Sequence, residues 1–570
     1  MKKLLSIIII IAMFAGVGLF ITACNGDDEP EMYTVTIHTD AHVASLTVMF
    51  GSTAVSNGTQ YAEGTVLVID WTMQSGFTGV LHINGALAAT AGPYSHTITG
   101  PTHIAIILTD TPYELITTAA QFAAIADNLD GIFRLGANLT LNNWTPVGTP
   151  EAPFTGELFA NLLPNGQPEF TITSLSISNA ALTDNIYFAS LIGVNEGTIR
   201  NIVINSLNID ITVSTPTPVN AFVYAGGIVG LSYGTITNSR VIDGDIDIMV
   251  SGLARIRAGM LAGEINGENA IIEGGAAGGV ITANGEGGVG RAGGLVGVVL
   301  GGASVIRSRA DVDITYNTLT GNASAAGLIG HTDRGAIVRQ SFATGDILTV
   351  SAGSSTVYAG GLTGNTDAEN QFDDENDRWV FEFTDVFATG NAEAKTAGNA
   401  YVSGLIARIA NGNSNNNNPY NGANILVRNA YSTGNATSVI DITGGNHFVG
   451  GIVGRIQSVA PSYIRVQNVF ATGNITVGTS EGDQFAGDIV GRSQNNGTRQ
   501  VNNAWRAEEM VVTGNIRTTG GGAGELDGLV AEEAGRTVML TAAWQQANLE
   551  WDTNIWTFAN GRFPLLAWSV

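Results

Sequence analysis

The sequence predicts an all-β chain in which a small β-sandwich module precedes a right-handed β-helix, or β-solenoid, of repeated units. Two observations lead to this prediction. Glycine supplies 74 of the 570 residues and charged residues only 13%, a composition that suits short strands joined by many turns. A six-residue phrase also returns at near-constant spacing, which is typical of stacked repeats.

The N-terminal segment reads as an export signal followed by a tether. Lys2 and Lys3 precede the apolar run 4–20, which is the pattern of a signal peptide. The following Ile-Thr-Ala-Cys resembles the lipobox of bacterial lipoproteins. That resemblance implies a signal peptide over 1–23, acylation of Cys24 and a lipidated tether over 24–31. A plain transmembrane anchor is the alternative.

The expected destination is the outer membrane, on the cell surface. In the Gram-negative lipoproteins whose lipobox this segment resembles, an Asp directly after the acylated cysteine signals inner-membrane retention. Here that residue is Asn25. The membrane is therefore an expected partner through the lipid on Cys24. Periplasmic and surface orientations both remain open.

Residues 32–111 predict the sandwich module. Five short runs alternate apolar and polar residues, and turn signals such as Asn57-Gly58 and Asn84-Gly85 separate them. Alternation with period two over such short runs is typical of half-buried antiparallel strands. We expect a small antiparallel sandwich here.

The repeated phrase, which we call the anchor phrase, is Ala-Gly-Gly-Ile/Leu-Val-Gly. It occurs at 225–230 and 292–297, and variants begin at Ala258, Ala325, Ala359, Val402, Val449 and Ala486. The first five starts are 33 or 34 residues apart, and the later ones 43, 47 and 37. A unit of this length cannot bury its apolar face alone, so neighbouring units must stack. A propeller is the alternative architecture.

Stacking assigns structural roles to the residues of the anchor phrase. The aliphatic residue of each unit would point inward and form a ladder with its neighbours, and each such buried side chain contributes about 1.5–3 kcal/mol. The predicted ladder consists of Ile228, Leu295, Leu328, Leu362 and Ile452. The paired glycines would mark a corner, or a place where backbones approach too closely for a Cβ atom.

The ends of the array are expected to be covered, because open strand edges invite aggregation. Residues 112–184 would form an N-terminal cap and the first coils, with Thr118 capping a short helix. The repeats themselves would cover 185–515. Residues 516–570 would form a C-terminal cap, in which Trp544, Trp551, Trp556, Phe563 and Trp568 close the last coil.

A second phrase follows several of the anchors: Phe-Ala-Thr-Gly-Asn at 387–391 and 470–474, with close variants at 342–346 and 431–435. Together the two phrases resemble the GLUG repeat of bacterial surface proteins over about residues 185–515. The resemblance implies a β-helical stack and a surface role, and it brings no catalytic residues with it.

Charge and motifs narrow the function. The net charge of −25 would repel nucleic acid. None of the seven histidines is followed by Glu, so the zinc signature His-Glu-x-x-His is absent.

One dense acidic group could hold calcium through carboxylate oxygens, although a solvated loop is the default interpretation. Its residues are Asp367, Glu369, Asp373, Asp374 and Asp377.

The sequence therefore predicts a surface lipoprotein that is not an enzyme and has no catalytic residues. Its expected work is adhesion to a host or neighbouring surface, or the binding of a glycan or protein ligand along the solenoid. Calcium is the one cofactor considered. The alternatives are a polysaccharide lyase or glycoside hydrolase with its site on the solenoid face, and a passive surface spacer.

Overall fold

The structure is a computed structural model. It describes residues 31–569 apart from 39–42, 74–76, 109–112, 179–180, 184–185, 215–220, 369–378, 412–422, 440–444, 458–462, 479–481, 495–497 and 515–531. The chain is almost entirely β, as predicted, and its largest sheets are built mainly from parallel strands. It divides into two compact units, one within 1–112 and 163–167, the other within 113–162 and 168–570. The predicted signal peptide and Cys24 lie outside the described residues.

The first unit contains two sheets that share one core. Its strands are Met32–His38, Val43–Phe50, Thr53–Ala54, Thr59–Ala62, Val66–Met73, Gly79–Ile83, Ala86–Ala89, Tyr94–Thr97 and Thr102–Leu108. Val35, Leu67 and Leu81 are fully buried in the core cluster, which draws on both sheets. The expectation of purely antiparallel pairing is wrong at one place: the first and last strands lie side by side and run in the same direction, pairing Val35 with Thr102.

The larger sheet of the second unit has 24 strands within the described ranges. They are Tyr113–Ile116, Ile132–Leu135, Leu139–Leu141, Glu157–Phe159, Ile172–Ile177, Thr198–Arg200, Val203–Ser214, Thr235–Thr237, Arg240–Ser251, Ile271–Glu273, Ala276–Gly285, Ser304–Ile306, Arg309–Thr318, Ala336–Ala343, Ile347–Ser351, Trp379–Ala388, Ala392–Lys395, Ala423–Ser432, Ala436–Val439, Tyr463–Ala471, Ile475–Val477, Thr498–Ala507, Val512–Thr513 and Glu532–Ala534.

The second sheet of this unit has 17 strands among the described residues. They are Ala181–Thr183, Ile186–Asn195, Phe222–Ser232, Arg255–Gly259, Ala262–Asn266, Gly290–Gly293, Val296–Leu300, Ala323–Ala326, Ile329–Asp333, Val357–Gly360, Thr363–Ala368, Ala400–Ser403, Ile406–Asn411, His447–Gly450, Val453–Gln457, Gln484–Gly487 and Val490–Gln494. Every anchor phrase lies in this sheet. A two-stranded pair, Trp556–Thr557 with Leu565–Leu566, completes the strands described.

Within the repeats, strands pair in parallel with the strand one repeat further along, so anchor phrases lie directly beside one another. The backbone N–H of Leu261 donates to the Leu295 carbonyl at 2.9 Å, and Leu295 and Leu328 donate in turn to Leu328 and Leu362 at 3.0 Å. The residues of the predicted ladder, Ile228, Leu295, Leu328, Leu362 and Ile452, are all fully buried in one core cluster. The aliphatic position of the phrase is thus an inward one.

A second recurring position adopts the left-handed conformation, which asparagine tolerates better than most residues. It has positive φ at Asn201, Asn238, Arg307, Gln340, Asp385, Asn429, Asn468 and Asn503. The side chains of its later members also bond to one another. Asn429 Nδ2 donates to Asp385 Oδ1 at 2.9 Å, and Asn468 and Asn503 continue the chain at 3.3 and 3.1 Å. The left-handed residue turns the strand at the same place in each of these units, and the polar ladder connects the later ones.

The predicted helix cap is present at the start of the second unit. An α-helix over Ala119–Ala123 begins with Thr118 as its N-cap, and Gln121 completes a capping box. A short 3₁₀ helix over Ala124–Asp127 follows. Phe122 and Ile125 are fully buried.

The C-terminal segment does more than close the last coil. Its short helices cover Arg536–Met539, Ala542–Asn548 and Ala567–Ser569. From there the chain runs back along the larger sheet, so that Trp568 donates to the Gln340 carbonyl at 2.9 Å and Trp551 to the Asn468 carbonyl at 3.1 Å. The C-terminal segment packs over a column of stacked aromatic rings, one from each copy of the second phrase, and shields these rings from water. The column consists of Phe342, Phe387, Tyr431 and Phe470, with centroids 4.5–4.8 Å apart.

Candidate ligand-binding furrow

The anchor phrase folds into a tight corner, and its glycines are required for close backbone approach. A Cβ atom placed on Gly297 would lie 2.6 Å from the Gly263 carbonyl oxygen and 2.7 Å from the Ala258 nitrogen. Real Cβ atoms do not come so close to backbone atoms. Gly297 therefore lets the backbone of its own unit approach that of the preceding unit closely.

The residue just before each phrase and the residue just after it meet on the outer side of this corner. Register places the pairs one above another along the stack. We call this surface the corner furrow. Its rungs are Tyr224 with Leu231, Arg257 with Glu264, Arg291 with Val298, Ser324 with His331, Tyr358 with Asn365, Tyr401 with Arg408, Phe448 with Arg455, and Phe485 with Arg492.

At the C-terminal end of the furrow, aromatic rings stack and arginines cover them. The rings of Tyr358, Tyr401, Phe448 and Phe485 follow one another at 4.9–5.2 Å with nearly parallel planes. The Arg492 guanidinium lies 3.9 Å from the Phe485 centroid. Such cation–π contacts, together with ring stacking, fill this part of the furrow.

The N-terminal end is filled differently. Phe188 and Tyr224 stack at 5.5 Å and pack with Val194 and Leu231. In the next rung Arg257 forms an ion pair with Glu264. Each of these rungs satisfies its own apolar or charged groups.

The furrow opens between these two ends, where its side chains are too short to meet. Ser324 stands in the column otherwise occupied by rings and arginines, and Asn365 stands where the next three units carry arginine. The result is a pocket of about 290 Å³. Its lining consists of Val289, Gly290, Arg291, Asn322, Ala323, Ser324, His331, Tyr358, Asn365, Asp367 and Arg408.

His331 is the most unusual group in this pocket. Its side chain is 2% exposed, and its Nδ1 atom has no hydrogen-bond partner among the described residues. Burial lowers the pKa of His331 well below its usual value, and the nearby positive charges of Arg291, Arg257 and Arg408 lower it further. The imidazole is therefore neutral at pH 7, with one nitrogen able to donate and the other to accept.

Arg291 is the second unusual group. Within the part of the chain that the structure describes, its guanidinium makes no hydrogen bond and no ion pair. Burial lowers the pKa of Arg291 to about 10, and Arg257 lowers it further, whereas Asp333 and Asp367 act in the opposite direction. Arg291 stays protonated at pH 7, and its guanidinium, which has no ion pair among the described residues, lines the pocket.

The other arginine of the pocket is partly compensated. Arg408 Nη1 lies 3.8 Å from the Asp367 carboxylate and 3.3 Å from the Tyr358 hydroxyl, and its Nη2 donates to Gln457 at 3.1 Å. Arg408 is thereby held against the ring stack. Of the two arginines that line the pocket, Arg291 is the one without an ion pair among the described residues.

Of the predicted site residues, one lines this pocket. The inward ladder residues face the core on the opposite side of the corner. Asp367 of the predicted calcium group lines the pocket, whereas Glu369, Asp373, Asp374 and Asp377 lie outside the described residues. Over the described ranges, no group of three or more His, Cys, Asp or Glu side chains is placed to hold a metal ion.

Sequence reasoning missed the furrow, although a signal for it exists. The position before the phrase is aromatic in Tyr224, Tyr358, Tyr401, Phe448 and Phe485. The position after it is arginine in the last three units. Aligning the repeats on the phrase, and then reading its flanks, would have shown these two columns and the break at Ser324.

A second depression, of about 420 Å³, lies on the larger sheet along Asp313, Asp346, Asn391 and Asn435. Here the side-chain oxygens already have partners. Asp313 Oδ1 accepts from the Asp346 backbone N–H at 2.8 Å, and Asp346 Oδ1 accepts from that of Asn391 at 2.7 Å. This acidic ladder holds the turn of the second phrase.

The described helices include none with the length and apolar character that crossing a membrane requires.

Comparisons with known proteins give the following. No family model matches the chain, and no curated protein matches it. The chain is similar to a solved structure from Bacteroides ovatus described as a candidate immunoglobulin A1 protease, with 15% identity and a TM-score of 0.31, over 81% of this chain and 94% of the other. It is also similar to a structure described as an IgA1 protease, with 13% identity and the same TM-score, over 91% of this chain and 32% of the other.

These neighbours correct one expectation. The prediction that the chain is not an enzyme is contradicted, because both similar structures are described as proteases. At a TM-score of 0.31 the similarity assigns no activity to this chain.

Proposed function

We propose that the protein is an exported lipoprotein, anchored to the outer membrane through Cys24 and facing the cell surface. We further propose that the first unit is a β-sandwich spacer and that the second is a right-handed β-solenoid of GLUG-type repeats. The lipobox-like Ile-Thr-Ala-Cys and the polar tether after it support the anchor. The one-repeat register and the continuous core of the second unit support the solenoid.

The proposed work of the solenoid is ligand binding in the corner furrow. The observation that carries this proposal is His331, which is buried, lacks a partner for Nδ1 among the described residues, and lines the pocket in the open part of the furrow. Leaving a buried polar group unsatisfied costs about 1–3 kcal/mol, so such a group in a native protein calls for an explanation such as a bound water, ion or ligand. A bound ligand that supplies the partner would recover this free energy.

A carbohydrate-active enzyme at the same pocket is the second candidate function. The observation that favours it is the grouping of Arg291 and His331, both with lowered pKa, beside Tyr358, whose pKa is raised to about 12. Perturbed ionisable groups that share a cleft are typical of active sites. New reducing ends or unsaturated sugars after incubation with polysaccharides would identify this activity.

Binding is tested with arrays of glycans and extracellular-matrix proteins, probed with the Cys24→Ser chain. We expect at least one probe to be retained, and the retention to fall with His331→Phe, which removes the polar nitrogens. Arg309→Met is the matched control, because Arg309 is exposed on the larger sheet. An array that retains nothing, or retention that is equal in all three proteins, would contradict a binding role for the furrow.

The anchor is tested separately by detergent partitioning of cell extracts. The natural chain should enter the detergent phase, and Cys24→Ser should remain in the aqueous phase because the acylated thiol is gone. Equal detergent-phase fractions would remove the lipidation proposal without affecting the furrow.

A further inference from the structure

We propose that the pocket lined by Arg291, Ser324, His331 and Tyr358 binds a hexuronate within an acidic glycan. A hexuronate is a six-membered sugar ring that carries a carboxylate. This inference rests on the proposed binding function of the corner furrow and specifies the chemistry of its ligand. Four features of the pocket support it: charge, an aromatic face, hydroxyl-binding groups, and size.

The charge feature is Arg291. Its guanidinium has no carboxylate partner among the described residues, whereas Arg257 is paired with Glu264 and Arg408 lies 3.8 Å from Asp367. Arg255, which is exposed, lines an adjoining hollow together with Arg257 and Arg291. A chain of net charge −25 thus gathers arginines in one place. A guanidinium fork binds a carboxylate through two parallel hydrogen bonds.

The aromatic feature is the end of the ring stack. One face of Tyr358 packs on Tyr401 at 5.0 Å with an interplanar angle of 12°. The neighbour on its other side in the column is Ser324, which has no ring to cover that face, and Tyr358 lines the pocket. Tyr358 is only 9% exposed, so the part of its ring that reaches the pocket is held rigidly by the stack. A ring fixed in this way is a platform for the apolar C–H face of a sugar ring.

The third feature is a set of groups suited to hydroxyls. Neutral His331 can donate and accept, and the Ser324 hydroxyl donates to the Gly330 carbonyl at 2.6 Å, which leaves its oxygen free to accept. The side-chain amide of Asn365 and the carboxylate of Asp367 line the same wall. Such short, fixed polar groups around an apolar platform select a ligand with several hydroxyls.

Size and backbone pairing favour a sugar over a peptide. The pocket of about 290 Å³ lies near the lower limit of small-molecule pockets, roughly 300–1,000 Å³. The strands around it pair with neighbours on both sides, as Gly290–Gly293 and Ala323–Ala326 do. An extended peptide binds most often by adding a strand to an open edge, and this wall presents none.

The experiment is isothermal titration of the Cys24→Ser chain with trigalacturonate and with a hyaluronan tetrasaccharide. The methyl ester of each oligosaccharide serves as the uncharged counterpart. We expect at least one acid to bind, and its ester to bind about tenfold more weakly or worse, because the carboxylate is the partner of Arg291. Inorganic phosphate and a glutamate-rich peptide should not bind at this pocket.

Three variants locate the binding. Arg291→Met should weaken acid binding about tenfold or more, with little effect on the ester. Ser324→Tyr continues the ring column of the neighbouring units and should abolish binding of both by filling the pocket. Arg309→Met should change neither. Circular dichroism and the unfolding midpoint establish that each variant is folded.

Each outcome decides something. Equal binding of acid and ester would overturn the carboxylate assignment. Binding of the glutamate-rich peptide in place of both acids would overturn the sugar assignment. If neither acid binds while an array probe is still retained through His331, the hexuronate is wrong and the furrow remains a binding site.

Discussion

The indole N–H of Trp556 donates a hydrogen bond to the Asp385 carboxylate at 2.9 Å, across 171 residues of sequence. Both side chains are buried, and Asp385 also accepts from Asn429 at 2.9 Å. Asp385 belongs to the left-handed position that recurs in each unit. The C-terminal segment is thus tied by a charge-assisted bond to the middle of the repeat array.

Trp556→Phe should destabilise the array by about 1–3 kcal/mol, because a hydrogen bond to a buried charged group is lost while most of the ring packing is kept. The urea midpoint is the measurement. Trp568→Phe is the control, because Trp568 donates to the Gln340 carbonyl from an exposed position. Loss of this hydrogen bond should lower the free energy of unfolding by less than about 1 kcal/mol. Equal costs for the two substitutions would contradict the role assigned to the Asp385 bond.

Gly297→Val should destabilise the array by roughly 1–3 kcal/mol or more, since its Cβ would collide with the backbone of the preceding unit at Ala258 and Gly263. Thermal melting measures the effect. Gly100→Val is the comparison, because Gly100 has no atom near its Cβ direction and an ordinary φ. An unchanged midpoint for Gly297→Val would refute the close-approach explanation of the anchor glycines.

Asn429→Ala should cost about 1–2 kcal/mol in backbone strain, since Asn429 has a φ of 52°, and more for its two side-chain ladder bonds. Asn429→Gly removes the same bonds but tolerates the backbone conformation. The difference in unfolding free energy between the two variants therefore measures the strain. If glycine and alanine were equally destabilising, the left-handed position would not be the source of the preference for asparagine.

Acid should destabilise the array through His447. Burial lowers the pKa of His447 to about 4 from its ordinary value of about 6.5. Between these two values the unfolded chain binds the proton and the folded chain does not. The free energy of unfolding is therefore highest above about pH 6.5, where His447 is neutral in both states, and it decreases as the pH falls toward 4. At pH 5 the decrease due to His447 is roughly 2 kcal/mol.

The measurement is the urea midpoint between pH 7 and pH 5. His447→Gln should make this dependence shallower, and its next neighbour in the column is already Gln484. Trp568→Phe, which removes no titratable group, should leave the slope as it is. A slope that His447→Gln does not change would refute the assignment.

The repeat signal predicted much of the fold. The period of the anchor phrase predicted that Ile228 and Leu295 would share one ladder, because stacking follows directly from a unit that cannot bury its own apolar face. Thr118 was predictable as a helix cap from local sequence. The position of Trp556 was not, because its partner Asp385 is far away in sequence and no local pattern connects them.

The furrow was missed for a physical reason. Conspicuous groups, such as the acidic cluster around Asp373, are what a sequence shows first, whereas the pocket arises where side chains are shorter than those of the neighbouring units. Ser324 and Asn365 are ordinary residues, and they matter because they interrupt columns of rings and arginines. The unsatisfied state of His331 depends on what surrounds it in space, which no spacing in the sequence records.

The most direct test of a ligand in the corner furrow is the NMR signal of His331 in histidine-labelled protein, assigned by comparison with His331→Gln. Its imidazole signals should shift when trigalacturonate or the hyaluronan tetrasaccharide is added to saturation, and those of His447, buried outside the pocket lining, should not. A saturated complex in which the His331 signals stay in place would contradict the account.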